Sequence, residues 1–230
     1  MIWAVVLAAG ESRRMGTQKL LLPFGDTTVV GAVVRTALAS AAGRTLVVLG
    51  ADREAVRREI GLLGVEFAIN GDYPLGMLTS IQAGFRALPA GAKAALIMLA
   101  DQPFLASSVI DKVIAGCEAC HRGIVIPAFQ GRRGHPVLID LKYRDEVLAI
   151  APADGLRRLM LAHPDDILEV DVADPNILRD LDTPEDYKDR GQTYGRERIP
   201  SSDHQPRAGM TWRSGTGKYL RNIPPKNNER

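Results

Sequence analysis

The sequence has little cysteine, few aromatic residues and no long apolar run. Two cysteines in 230 residues cannot staple a chain of this size, which excludes the disulfide-rich secreted scaffolds. Aromatic residues make up only 5%, so a core must be built from aliphatic side chains. No apolar stretch approaches the roughly 20 residues of a membrane helix. The first apolar run, Ile2 to Ala8, is too short and lacks the basic leader of a signal peptide. A cytoplasmic protein that does not contact membranes is the expectation. Strong charge of one sign is missing too. The formal +2 is unevenly spread: residues 189–230 hold nine Lys/Arg against four Asp/Glu, a local +5, which leaves −3 on residues 1–188. The basic pI near 8.6 therefore belongs to the tail and does not point to nucleic-acid binding by the body.

What is present suits an ordinary globular chain, 46% hydrophobic and 24% charged, long enough for one sizeable core. Short β-rich runs at Ile2 to Ala8, Thr45 to Leu49, Val65 to Ile69, Ala95 to Leu99 and Ile124 to Ile126 alternate with stretches of helical apolar spacing at Thr28 to Ala41, Arg53 to Ile60, Leu78 to Leu88 and Ser107 to Cys120. Near-continuous apolar strands joined by helical crossovers predict a three-layer α/β/α fold with a mostly parallel sheet. After Pro127 the pattern breaks: Gly131 to Asp140 reads as a turn into an added strand or hairpin. Helical segments around Tyr143 to Ile150 and Leu156 to Ala162 and a strand at Ile167 to Asp171 follow. Residues 1–188 form the expected domain, and 189–230, rich in Gly, Pro, Ser, Asn and Arg, read as an extended or disordered tail.

Cys117 and Cys120 lie with His121 in CEACH, a match to haem-attachment and redox spacings. A reactive CxxC sits at a helix N-terminus, where the thiol is acidified. These cysteines fall late in a helical stretch, so plain helix packing is expected.

Five segments could carry chemistry. In LAAGESRRMGTQK, residues 7–19, a strand exit carries Gly10, Gly16, Arg13, Arg14 and Lys19. Five residues separate the glycines and Lys19 comes three later, so this is neither a P-loop nor a dinucleotide fingerprint. Its amides and the cations Arg14 and Lys19 still suit a triphosphate, although a solvated basic turn has the same letters. In LIMLADQPF, Asp101 leaves an apolar strand at the ligand edge of the sheet as a candidate Mg²⁺ ligand or a turn aspartate. In DLDTPED, alternation puts Asp180 and Asp182 on one side, while Thr183 and Pro184 fit a helix cap that does not exclude metal binding by Asp182. The loop Asn70 to Ser80, with Gly76, could grip a base through its backbone and place Thr79 or Ser80 near it, or be an ordinary loop and cap. His135, between Gly134 and Pro136, could meet a substrate phosphate or lie on the surface.

The order of these segments, with GRRGHPVL and APADGLRRLM between LADQP and LDTPED, resembles the molybdenum cofactor cytidylyltransferase family, among nucleotidyltransferases of GT-A type fold. The resemblance covers nearly all of residues 1–188 and not the tail. The family's first motif, LAAGxSxRMGxxK, selects Arg14 rather than Arg13, together with Lys19. It implies transfer of CMP from CTP to molybdenum-bound molybdopterin with Mg²⁺, and delivery of the product to a molybdenum hydroxylase of the xanthine dehydrogenase type. Arg14, Lys19 and Asp101 would be catalytic, and Asp101 and Asp182 would hold metal. Leu7, Ala8, Ala9, Gly10, Asn70, Gly76, Met77 and Ser80 would bind nucleotide, and His135 would lie on the molybdopterin side. Ala9 favours cytidylyl over guanylyl transfer, since guanylyl enzymes usually have a second glycine there. A GTP-dependent enzyme, a CTP-dependent enzyme acting on another phosphorylated acceptor, and a non-catalytic molybdopterin carrier are the alternatives. The chemistry needs no protein nucleophile: a phosphate monoester, with its second pKa near ~6, attacks already ionised, and the protein aligns and neutralises.

Overall fold

One eight-stranded sheet organises the described residues. The computed structural model describes residues 1–12 and 15–188; Arg13, Arg14 and the tail from Asp189 onward lie outside the described residues.

The strands are β1 (Ile2–Ala8), β2 (Pro23–Phe24), β3 (Thr27–Thr28), β4 (Arg44–Leu49), β5 (Glu66–Ile69), β6 (Ala94–Leu99), β7 (Ile124–Phe129), β8 (Arg132–Arg133), β9 (Val137–Asp140) and β10 (Ile167–Asp171). The helices are α1 (Val29–Leu38), α2 (Arg53–Ile60), α3 (Met77–Ala87), α4 (Ser107–Cys120), α5 (Arg144–Ala149), α6 (Arg157–Ala162) and α7 (Pro184–Asp186). The main sheet runs β10-β7-β9-β6-β1-β4-β5, with β8 added to β7, and β2 and β3 form a separate ribbon. Pairings β1–β4, β1–β6, β4–β5 and β7–β10 are parallel. Along that path β9 runs against both its neighbours, β6 and β7. The mostly parallel α/β/α architecture is therefore present, and the hairpin expected after Pro127 supplies the antiparallel strand at its centre.

The alternation of β1 explains why two layers form. Ala4, Val6 and Ala8 enter one aliphatic cluster with Val30, Val34 and Ile110, whereas Trp3, Val5 and Leu7 enter the other with Ile81 and Phe85. A strand buried on both faces must be apolar at every position, as this one is. β7 is longer than the sequence suggests, running through Pro127 to Phe129. Its ladder to β9 stops at Val125, so proline enters where that pairing has already ended. α1 is shorter than the apolar spacing suggests, because Thr28 caps it by accepting from Gly31 N at 3.2 Å and its last turn ends at Leu38.

The cysteines meet the expectation only in part. Cys117 packs against the core, and burial raises its thiol pKa. Cys120 is exposed, because the α4 face that meets the sheet ends one turn earlier. Among the described residues, no helix is long and apolar enough to cross a membrane.

Candidate active site

The carboxyl ends of β1 and β6 open into a cavity of about 530 Å³, at the sheet edge where parallel α/β folds place ligands. Gly10 lies on its wall, and a Cβ built there would meet nothing within 4 Å. The glycine therefore leaves open room beside the backbone. Its backbone does not occupy the left-handed region, so the conformational reason for glycine applies to Gly16, at φ +67°, instead.

The loop after β1 is closed by its own side chains. Ser12 Oγ donates to Gln18 Oε1 at 2.7 Å, Lys19 N donates to Ser12 Oγ at 3.1 Å, and Gln18 Nε2 donates to Asp52 Oδ2 at 2.9 Å. This network launches the short turn Lys19–Leu21 and aims Lys19 inward. Its ammonium lies 2.6 Å from Asp101 Oδ2 and 2.9 Å from Asp182 Oδ1. Burial alone would lower the Lys19 pKa, but the two carboxylates together raise it, so the side chain stays charged. Burial raises Asp101 above the ordinary carboxylate range; Lys19 limits that rise and the like charge of Asp180 adds to it.

Asp182 shows that the capping and site readings of its segment coexist. Thr183 and Asp186 form a capping box at α7, and Asp182 N donates to Asp186 Oδ2 at 3.2 Å. The cap thus takes the backbone of Asp182 and leaves its carboxylate to reach Lys19. Among the described residues no three His, Cys, Asp or Glu side chains gather as a metal cage. Two carboxylates and substrate oxygens are the arrangement magnesium usually takes in phosphate sites. The donors here are oxygens, and an ammonium already stands between them as a stand-in cation.

The sequence-derived candidates divide. Leu7, Ala9, Gly10, Lys19, Asp101 and Asp182 line the cavity, as do Gly76, Met77 and Ser80 from the opposite wall. Gly76, at φ +113°, turns the chain into α3. Ala8 points the other way, into the core, at 1% exposure, since alternation sends its neighbours to the cavity side. Asn70 is buried, and its Nδ2 donates to Thr79 Oγ1 and Ser80 Oγ at 2.9 Å each; it shapes the start of α3 rather than lining the cavity. His135 lies outside the cavity wall with its backbone N donating to Ile177 O at 3.0 Å. Burial lowers its imidazole pKa, opposed by Asp101. Arg14 lies outside the described residues. Tyr73, Pro74 and Met15 also line the cavity; their apolar surface in a loop was the available signal, but nothing in the sequence says which side of a loop faces a ligand.

Residues 4–167 match the MobA-like NTP transferase domain. The chain belongs to the MobA-like NTP transferase family. It is a nucleotidyltransferase. Relatives include the nicotine blue oxidoreductase of Paenarthrobacter nicotinovorans, 29% identical over 80% of this chain and 93% of that protein. The molybdenum cofactor cytidylyltransferase of Escherichia coli is 25% identical over 83% of this chain and 95% of that protein. Among solved structures, Rv0371c of Mycobacterium tuberculosis in complex with manganese is 27% identical with a TM-score of 0.68, covering 84% of this chain and 98% of that one.

Proposed function

We propose that this MobA-like protein transfers CMP from CTP to the terminal phosphate of molybdenum-bound molybdopterin, releasing pyrophosphate. The observation that carries the reading is the ammonium of Lys19 held between Asp101 and Asp182 at the mouths of β1 and β6. Residues 1–188 are the catalytic domain, and 189–230 form an appended basic segment. The similarity to a protein named molybdenum cofactor cytidylyltransferase over nearly its whole length supports the acceptor and base.

Asp101 and Asp182 would hold Mg²⁺, for which the manganese complex of a relative offers support. The ion, when bound, would neutralise charge on the phosphates during transfer. Lys19, with Arg14 assigned from the motif, neutralises the departing pyrophosphate. The open wall at Gly10 admits phosphates close to the backbone. Gly76, Met77 and Ser80 contact the base and ribose side, Ala9 favours cytosine, and His135 faces the molybdopterin side. The phosphate of the acceptor attacks the α-phosphorus in line; the bond to the β-phosphate oxygen breaks and pyrophosphate leaves. The dinucleotide product then passes to a molybdenum hydroxylase.

Pyrophosphate release should be measured with Mg²⁺ and CTP, GTP, ATP or UTP, each with and without molybdenum-bound molybdopterin. Release confined to CTP plus that acceptor is expected. Release with GTP would make this a guanylyltransferase, and no release from folded protein that binds molybdopterin would make it a carrier.

A further inference from the structure

The segment bearing Asp182 is strapped to Asp101 and to the residue after it. Leu181 N donates to Asp101 O at 2.9 Å, and Leu181 is buried in the core. Beside this bond, Gln102 Nε2 donates to Asp180 Oδ1 at 2.7 Å and reaches Ile177 O at 3.5 Å. Both partners are acceptors, so the amide cannot be turned round without setting oxygen against oxygen. Asp180 lines the cavity together with Asp101 and Asp182.

Gln102 is costly where it stands. It is 2% exposed, and among the described residues its Oε1 has no hydrogen-bond partner. An unpartnered buried carbonyl oxygen destabilises a fold, and an apolar side chain of similar size would avoid that cost. The short bond from Gln102 goes to a cavity-wall carboxylate, which itself is exposed and could be solvated without help. A buried polar side chain that costs stability and is directed at the wall of a site is the pattern of a functional position.

We propose that Gln102 is a positioning residue: by fixing Asp180 and the 177–182 strap, it sets the separation of Asp182 from Asp101 and so the affinity of that pair for a divalent cation carried with nucleotide. The proposal rests on the metal reading given under Proposed function. Partners that orient metal ligands commonly change affinity by about 10- to 100-fold when removed.

The test compares Gln102→Met, Gln102→Glu, Asp180→Asn and the double variant Gln102→Glu/Asp180→Asn. The probe is Mn²⁺, followed by electron paramagnetic resonance with non-hydrolysable CTP or GTP, and thermal melting is recorded in parallel. Gln102→Met should weaken Mn²⁺ binding about 10-fold while melting no lower than wild type, since it removes the unpartnered oxygen. Gln102→Glu sets two carboxylates face to face and should weaken binding further. The double variant restores the short hydrogen bond to position 180 with its direction reversed, the amide there donating to a carboxylate at position 102, and leaves only the long contact with Ile177 O unrestored. It should recover most of the Mn²⁺ affinity that Gln102→Glu loses. Unchanged Mn²⁺ binding in Gln102→Met, or no recovery in the folded double variant, would overturn the positioning role alone, provided wild type binds Mn²⁺ and Asp101→Asn loses it. Failure of wild type to bind Mn²⁺ with either nucleotide would overturn the metal reading and the proposal together.

Discussion

Lys19 and Asp101 stand 82 residues apart in the chain and meet at 2.6 Å. Each is mostly withdrawn from water, with side-chain exposures of 14% and 21%. The contact joins the loop after β1 to the loop after β6, so it ties together two walls of the cavity.

Replacing Lys19 with Met should lower pyrophosphate release by about 100- to 1,000-fold, the usual loss when one aimed positive group is removed from a transferring site. Steady-state release at saturating Mg²⁺ and nucleotide would check it, with the loss falling mainly on kcat.

The same ion pair makes a stability prediction. Lys19→Met strands Asp101 beside Asp182, and should cost about 3 kcal/mol, the lower end for a broken buried pair because some water still reaches it. Asp101→Asn should cost less, since Lys19 keeps Asp182. The double variant should fall short of the sum by about 1 kcal/mol or more, as read from urea unfolding.

Gly134→Ala should disturb the site from a distance. A Cβ there would collide with the backbone carbonyl of Ile177, which also accepts from His135 N. Backbone cannot rotate away as a side chain can, so overpacking should cost about 1–3 kcal/mol and move the 177–182 strap. Thermal melting with and without Mn²⁺ would show a lower midpoint and a smaller metal-induced shift.

Asp166 should set part of the acid limb of stability. Burial tends to raise its pKa, but hydrogen bonds from Lys142 and Tyr143 outweigh it and bring the carboxyl down to about 2. A carboxyl with a depressed native pKa stabilises the fold above its unfolded pKa of about 3.9, and that contribution is lost as pH falls toward its folded value. Asp166→Asn should therefore flatten the loss of stability between about pH 4 and pH 2, measured by circular dichroism during acid titration.

Much of the sheet was readable because its signals are local. β1 and β10 appear as apolar or alternating runs with the expected bounds, and α2 and α4 as periodic stretches. The order of strands is not local: nothing in Val137–Asp140 says that β9 will enter between β6 and β7 and run against both. The site shows the same division. Gly10 and Asp101 are visible because they follow apolar strands closely, and Lys19 and Asp182 because they stand in polar segments of distinctive spacing. Ala8 ends β1 and Asn70 directly follows β5, and side-chain direction and hydrogen bonding take them off the cavity wall. Gln102 was hidden because a glutamine beside a proline has no distinctive local pattern; only its burial and its bond to Asp180 reveal it.

The distance along the chain between Lys19 and Asp182, 163 positions, also fixes when the site can exist. Synthesis runs from the amino end, and early domains can begin to fold as they emerge. Here the sheet can gather strand by strand, yet the last carboxylate leaves the ribosome only after every main-sheet strand. A nascent chain therefore carries Lys19 long before it carries Asp182, and the ion pair between them can form only once the final strap has been made.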